Sequence, residues 1–155
     1  MKEHQAALSA IGTRITQCTE SSRRAIDEVL PEFTITASAE VPAMISVLQS
    51  TVRPDKFTEY MNLVKTEIFP AAKKSGLKEF SVATERFGGP NTLVVSVSGI
   101  NAYADIDEGF GVEEALGKEG YQHLLQKARP LIIESERDIF RYLPDLSYLP
   151  PTPAK

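Results

Sequence analysis

Glu85 and Arg86 in "KEFSVATERFGG", and Glu134, Glu136, Arg137 and Asp138 in "LIIESERDIFRYL", are charged residues inside stretches that otherwise read as β-strand. Opposite charges on neighbouring strands form cross-strand pairs at a sheet rim, and that is the simpler reading. Turned inward, the same residue types do chemistry. A guanidinium in a barrel cavity offers a fixed fork of donors to an acidic or phenolic ligand. Arg86 and Arg137 are therefore the ligand-binding candidates. Tyr60 and Tyr103 can add hydroxyls to such a site, although Tyr60 also falls on an apolar helical stripe where packing accounts for it. His123 is the one histidine in the main body of the chain. It lies on the shoulder of a helical stripe through Leu116 and Leu124, so it is either a ligand or acid–base group or an ordinary half-exposed helix residue. Tyr60, Tyr103 and His123 are the catalytic candidates.

Other patterns are weaker. "DIDEG" brings Asp105, Asp107 and Glu108 together, but its third acid and its glycine arrive too early for a calcium loop, so a solvated loop is expected. "GFG" at 109–111 lacks the third glycine of a dinucleotide fingerprint and reads as a turn. "SVSG" lacks the first glycine of a nucleophile elbow, and no spaced Ser, His and Asp set accompanies it. Cys18 is the sole cysteine, which excludes an internal disulfide and a CxxC metal or redox motif; no histidine neighbours it to activate the thiol. His4 sits near the terminus. No metal and no cofactor is expected.

The bulk properties narrow the partners. At 155 residues the chain is the length of one ordinary domain, and 42% hydrophobic with 25% charged residues is a globular composition. A net charge of −4 argues against a phosphate-neutralising surface, so nucleic acid is not an expected partner. No apolar run approaches the roughly 20 residues that span a bilayer, and the N-terminus lacks a secretory signal; neither a membrane partner nor an export route is expected, and the cytoplasm is the default location.

The elements that must position these residues follow from periodicity. In "RPDKFTEYMNLVKTEIFPAAKKSG", Pro54 fits a first helical turn, Asp55 and the pair Lys73 and Lys74 suit the two ends, and Gly76 supplies the stop. Phe57, Tyr60, Met61, Val64 and Ile68 fall on one stripe, while Pro70 must bend or end the regular helix. "MISVLQSTV" precedes it as a strand. "KEFSVATERFGG" and "NTLVVSVSGI" form a hairpin through "GGPN". "YADIDEGFG" is a loop with room for a helical turn, "VEEALGKEGYQHLLQKARP" is two short helices hinged near Gly117 or Gly120, and residues 131–143 are a long strand. The order from residue 44 is βαββαβ, a ferredoxin-like α+β fold with both helices on one face of a four-stranded antiparallel sheet. Because "TLVVSVSGI" is apolar or small at both parities, its other face also needs cover, most simply a second sheet from a partner subunit.

One phrase recurs. "VLPEFT" at 29–34 and "YLPDLS" at 142–147 stand at a constant shift of 113 residues, with Ile26 meeting Ile139, Leu30 meeting Leu143 and Pro31 meeting Pro144. Either the short match is chance, or residues 1–35 are the last helix and strand of a preceding unit; strand and helix both remain open there. The expected organisation is an N-terminal extension (1–40), a barrel domain (41–147) and a Pro-rich tail (148–155).

The run "VRPDKFTEYMNLVKTEIFPAAKKSG", "FSVATERFGGPNTLVVSVSGINAYADID", "ALGKEGYQHLL" and a final strand resembles the dimeric α+β barrel superfamily, and within it the NIPSNAP-like and antibiotic-biosynthesis-monooxygenase-like groups, over residues 44–147. The resemblance implies a two-sheet barrel and a pocket between sheet and helices. It also implies a homodimer or higher homo-oligomer, with a small hydrophobic or aromatic ligand. Two functions stay open: a small-molecule-binding barrel, as a cofactor-independent monooxygenase or isomerase-like enzyme, or a non-catalytic assembly or binding module.

Overall fold

The computed structural model of the chain describes residues 2–36, 41–107 and 109–146. Glu108 and the Pro-rich tail at 148–155 lie outside them. The described elements begin with helix α1 (Lys2–Gln17), strand β1 (Ile26–Val29), a 3-10 turn at Pro31–Phe33 and the two-residue strand β2 (Ile35–Thr36). Strand β3 (Met44–Val52) leads through a 3-10 turn at Pro54–Lys56 into helix α2 (Phe57–Leu63), a π-turn at Val64–Ile68 and helix α3 (Phe69–Lys74). Strands β4 (Glu79–Phe87) and β5 (Leu93–Ile100) form the hairpin, helix α4 (Ala104–Asp107) and a 3-10 turn at Gly109–Gly111 follow, and helix α5 (Val112–Ala128) precedes strand β6 (Ile132–Arg141). A last 3-10 turn spans Pro144–Leu146.

The strands form one antiparallel sheet in the order β1-β4-β5-β3-β6, with β2 also on β4. Four of them, β4-β5-β3-β6, are the ferredoxin-like arrangement expected from the βαββαβ order. The sheet is wider than the four strands expected, because β1 and β2 add to the β4 edge. The N-terminal segment, left open between helix and strand, is both in turn: helix to Gln17, strand from Ile26.

Alternation decides what each face carries. The even positions of β3, β4 and β5 meet the helices, and Val52, Phe80, Val82 and Val94 pack there with Tyr60, Leu63, Val64, Phe69, Leu124 and Leu131. Phe69 is the hub, with ring centroids 5.6 Å from Phe33 and 6.2 Å from Phe80. The odd positions make a second, smaller cluster of Ala83, Leu93 and Val95 flanked by Val47 and Val97 on the face away from the helices. Register puts Glu134, Glu136, Asp138 and Phe140 on that same face, opposite Thr51, Gln49, Val47 and Ile45.

The two irregularities expected in the helices both occur. Pro70 has no N–H to give the carbonyl of Thr66, and the turn before it widens to π spacing. The α5 segment breaks at Gly117, whose φ of 72° and ψ of 159° belong to a region open essentially to glycine alone. Asp105, Ile106 and Asp107 of "DIDEG" lie in the single turn α4, in which Asp105 Oδ2 accepts the backbone N–H of Asn101 at 2.8 Å and of Ala102 at 3.1 Å.

Candidate functional site

The two arginine candidates have different fates. Arg86 is exposed on the β4 edge, where its guanidinium pairs with Glu28 of β1. It makes the rim pair that strand composition suggested, and it also lines an open cleft of about 600 Å³ with Phe33, Phe57, Met61 and Lys65. Arg137, on the helix-facing parity of β6, reaches across to β3 and donates from Nη1 to Ser46 Oγ at 3.3 Å. Its guanidinium carbon lies 4.8 Å from the centroid of the Phe110 ring, a cation–π contact. Partial burial pushes its pKa below the ordinary value, with Tyr121 the opposing influence; a guanidinium in such a site stays charged at neutral pH. Among the described residues, no carboxylate forms an ion pair with it.

Phe110 is the residue that sequence reasoning missed. It sits at φ 59° between Gly109 at 61° and Gly111 at 69°, three successive left-handed positions that throw the ring over Arg137. The glycines adopt this freely, whereas a bulky aromatic does so at a cost of order 1–3 kcal/mol. A Cβ on Gly109 would stand 3.6 Å from the Tyr121 hydroxyl, so the turn also packs beside α5. The available signal was an aromatic flanked by glycines in an acidic loop, which reads equally well as a plain turn. Phe110 and Gly111 also line a cleft of about 290 Å³ at this end of the sheet, together with Ser75, Lys78, Glu79 and Asp105.

Between sheet and helices runs a second polar group. Tyr60 on α2 is 5% exposed and hydrogen-bonded to Ser50 on β3, whose Oγ lies 3.1 Å from Ser135 Oγ on β6. Burial raises the Tyr60 pKa above its ordinary value of 10.0, and the Ser50 bond works against that rise. The phenol is therefore a neutral donor at physiological pH. Tyr103, 58% exposed, lies on the loop after β5, and His123 is exposed on α5. Cys18 is an exposed free thiol. Among the described residues, no cluster of three His, Cys, Asp or Glu side chains is arranged to hold a metal, and no helix is long and apolar enough to cross a membrane.

On the opposite face, Glu85 is 3% exposed. Its Oε2 lies 3.4 Å from Arg23 Nη2, and its Oε1 has no hydrogen-bond partner among the described residues. Arg23 reaches there because the hairpin glycines leave room: a Cβ on Gly88 would overlap the Arg24 carbonyl, and one on Gly89 the Arg23 guanidinium.

No protein-family model matches the sequence, and no curated protein does. Solved structures match the fold. A NIPSNAP family protein from Agrobacterium tumefaciens strain C58 is 25% identical, with a TM-score of 0.54 over 69% of this chain and 98% of that one. An uncharacterized NIPSNAP domain protein from Burkholderia xenovorans is 12% identical, with a TM-score of 0.54 over 68% and 99%. A protein from Lactobacillus acidophilus NCFM, described as a candidate monooxygenase, is 11% identical, with a TM-score of 0.50 over 69% of this chain and 48% of that one. The chain therefore has the α+β barrel fold of the NIPSNAP and monooxygenase-like structures, as its sequence resemblance implied.

Proposed function

We propose that this chain is a small-molecule-binding α+β barrel protein whose ligand is an aromatic anion, a phenolate or aryl carboxylate, held by Arg137 and stacked by Phe110. The observation that carries this is Arg137 itself: an exposed strand residue whose guanidinium has no carboxylate partner among the described residues and is covered on one side by an aromatic ring held in a strained turn. Such a cation retains unused donors for a carboxylate or phenolate. The cleft of about 290 Å³ beside Phe110 offers room for one aromatic ring, and on its wall Lys78 stands with Glu79 and Asp105. Tyr60 and Ser50 supply a neutral donor relay in the same layer. If the chain is an enzyme, the cofactor-independent oxygenation or proton transfer that the sequence resemblance implied would take Tyr60 as proton donor. Titration calorimetry with salicylate and 4-hydroxybenzoate as probes tests the reading. Arg137→Ala should weaken binding at least tenfold while Arg86→Ala leaves it unchanged; equal affinities for wild type and Arg137→Ala would sink it.

A second reading, a non-catalytic assembly module, is favoured by the apolar cluster of Ala83, Leu93, Val95, Val47 and Val97 on the face without helices. A second sheet packed there would complete a barrel in either reading. A homodimer supplies that sheet most simply, and light scattering of wild type beside a Val97→Glu variant checks it: loss of a dimer on substitution identifies this face as the contact.

A further inference from the structure

Two apolar surfaces of this chain lack a cover. On α1, Leu8, Ile11 and Ile15 fall at i, i+3 and i+7, a single stripe of the helix, and each is more than half exposed. On the helix-free face of the sheet, Val47 and Val97 are partly exposed beside the Ala83, Leu93 and Val95 cluster, and Val29 and Phe140 at its flanks are more than half exposed. A helix of this length draws its stability in water mainly from packing its apolar stripe, and a sheet with an apolar face needs a second layer. Each surface is what the other requires.

The chain brings the two together. Arg23 already lies on the helix-free face, where it reaches Glu85 and lines a cleft of about 200 Å³ with Gln49, Thr51, Leu93 and Glu134. Residues 18–22 alone separate it from the end of α1, a tether that reaches up to about 17 Å when extended. A short tether of this kind sets an effective concentration on the order of millimolar. The 16 residues of α1 make a rod of about 24 Å, which matches the roughly 27 Å of the eight-residue β5. Charge sets how the rod lies. Arg14 flanks the stripe and forms no ion pair among the described residues, while Glu134, Glu136 and Asp138 make an acidic row along one side of the cluster. We propose that α1 folds down onto the helix-free face of its own sheet, with Leu8, Ile11 and Ile15 against Val47, Val95 and Val97 and with Arg14 toward the acidic row of β6. The face that a partner sheet would use is then masked by the chain's own first helix, and α1 and a second subunit compete for it.

Cross-linking of the full chain reads the contact. In a Cys18→Ser background, which removes the native thiol, Ile11→Cys with Val97→Cys should form a disulfide within one chain under mild oxidation. Thr13→Cys, on the opposite side of α1, should cross-link to Val97→Cys at least tenfold more slowly. Equal rates for the two pairs overturn the proposal, and so does a disulfide that joins two chains, since a second copy would then supply the helix. Light scattering reads the competition. Wild type should have the mass of one chain, the triple variant Leu8→Asp, Ile11→Asp, Ile15→Asp should have twice that mass, and adding Val97→Glu should restore the single-chain value. A triple variant that stays at one chain overturns the proposal. So does a wild-type dimer that Val97→Glu dissolves, because a partner sheet would then be the occupant. None of these substitutions touches Arg137, whose ligand titration reads that site separately.

Discussion

At the scale of single residues, partnership matters more than type. Arg86 and Arg137 are both strand arginines, yet one spends its charge on Glu28 at a rim and the other rests under Phe110 without a carboxylate partner among the described residues. Strand parity is visible in the sequence, but the identity of the neighbouring strand is not, so the two could not be separated in advance. Tyr60 illustrates burial acting on chemistry. Its folded pKa is raised above the unfolded value, so its contribution to stability is complete below about pH 10 and is lost as pH climbs through the raised folded value. Tyr60→Phe should cost about 0.5–1.5 kcal/mol at neutral pH through the lost Ser50 bond. Urea unfolding from pH 8 to 11 should show the wild-type advantage shrinking above pH 10; an advantage constant across that range would show that the hydroxyl is not desolvated.

At the scale of elements, glycine and proline do much of the positioning. Gly117 divides α5 in a conformation closed to other residues, and no atom beyond its chain neighbours lies within 4 Å of where a Cβ would stand. Gly117→Ala therefore loses stability through the backbone alone, about 1–3 kcal/mol by thermal unfolding; an unchanged Tm would mean that the helix straightens without penalty. The hinge was legible because a glycine interrupted an otherwise helical period. The π-turn before Pro70 was legible only as a bend, since the missing N–H is written in the sequence while the manner of its accommodation depends on packing. Gly88 and Gly89 show the converse. Their turn chemistry was readable, but their second task, admitting the backbone of Arg24 and the side chain of Arg23, involves residues more than sixty positions away.

At the scale of the whole molecule, Phe33 ties the N-terminal segment to the core formed by α3 and the sheet. Phe33→Ala should cost about 3–5 kcal/mol and detach β1 from β4. Limited proteolysis should then cleave among residues 20–36 well before the body of the chain. A cleavage rate equal to wild type would place the anchor elsewhere, in the β1 ladder or the Arg86 and Glu28 pair.

The sequence by itself determined the order βαββαβ, the apolar stripe of the first helix, the hairpin through "GGPN" and a strand β5 apolar on both faces, because these are set by periodicity and by the local rules of glycine and proline. Tertiary structure alone decided that the N-terminal segment is helix and then strand, that β1 and β2 widen the sheet, and that Phe110 covers Arg137. Each of these depends on contacts between residues distant in the chain, where local propensity is nearly neutral and burial of a single anchor such as Phe33 tips the balance.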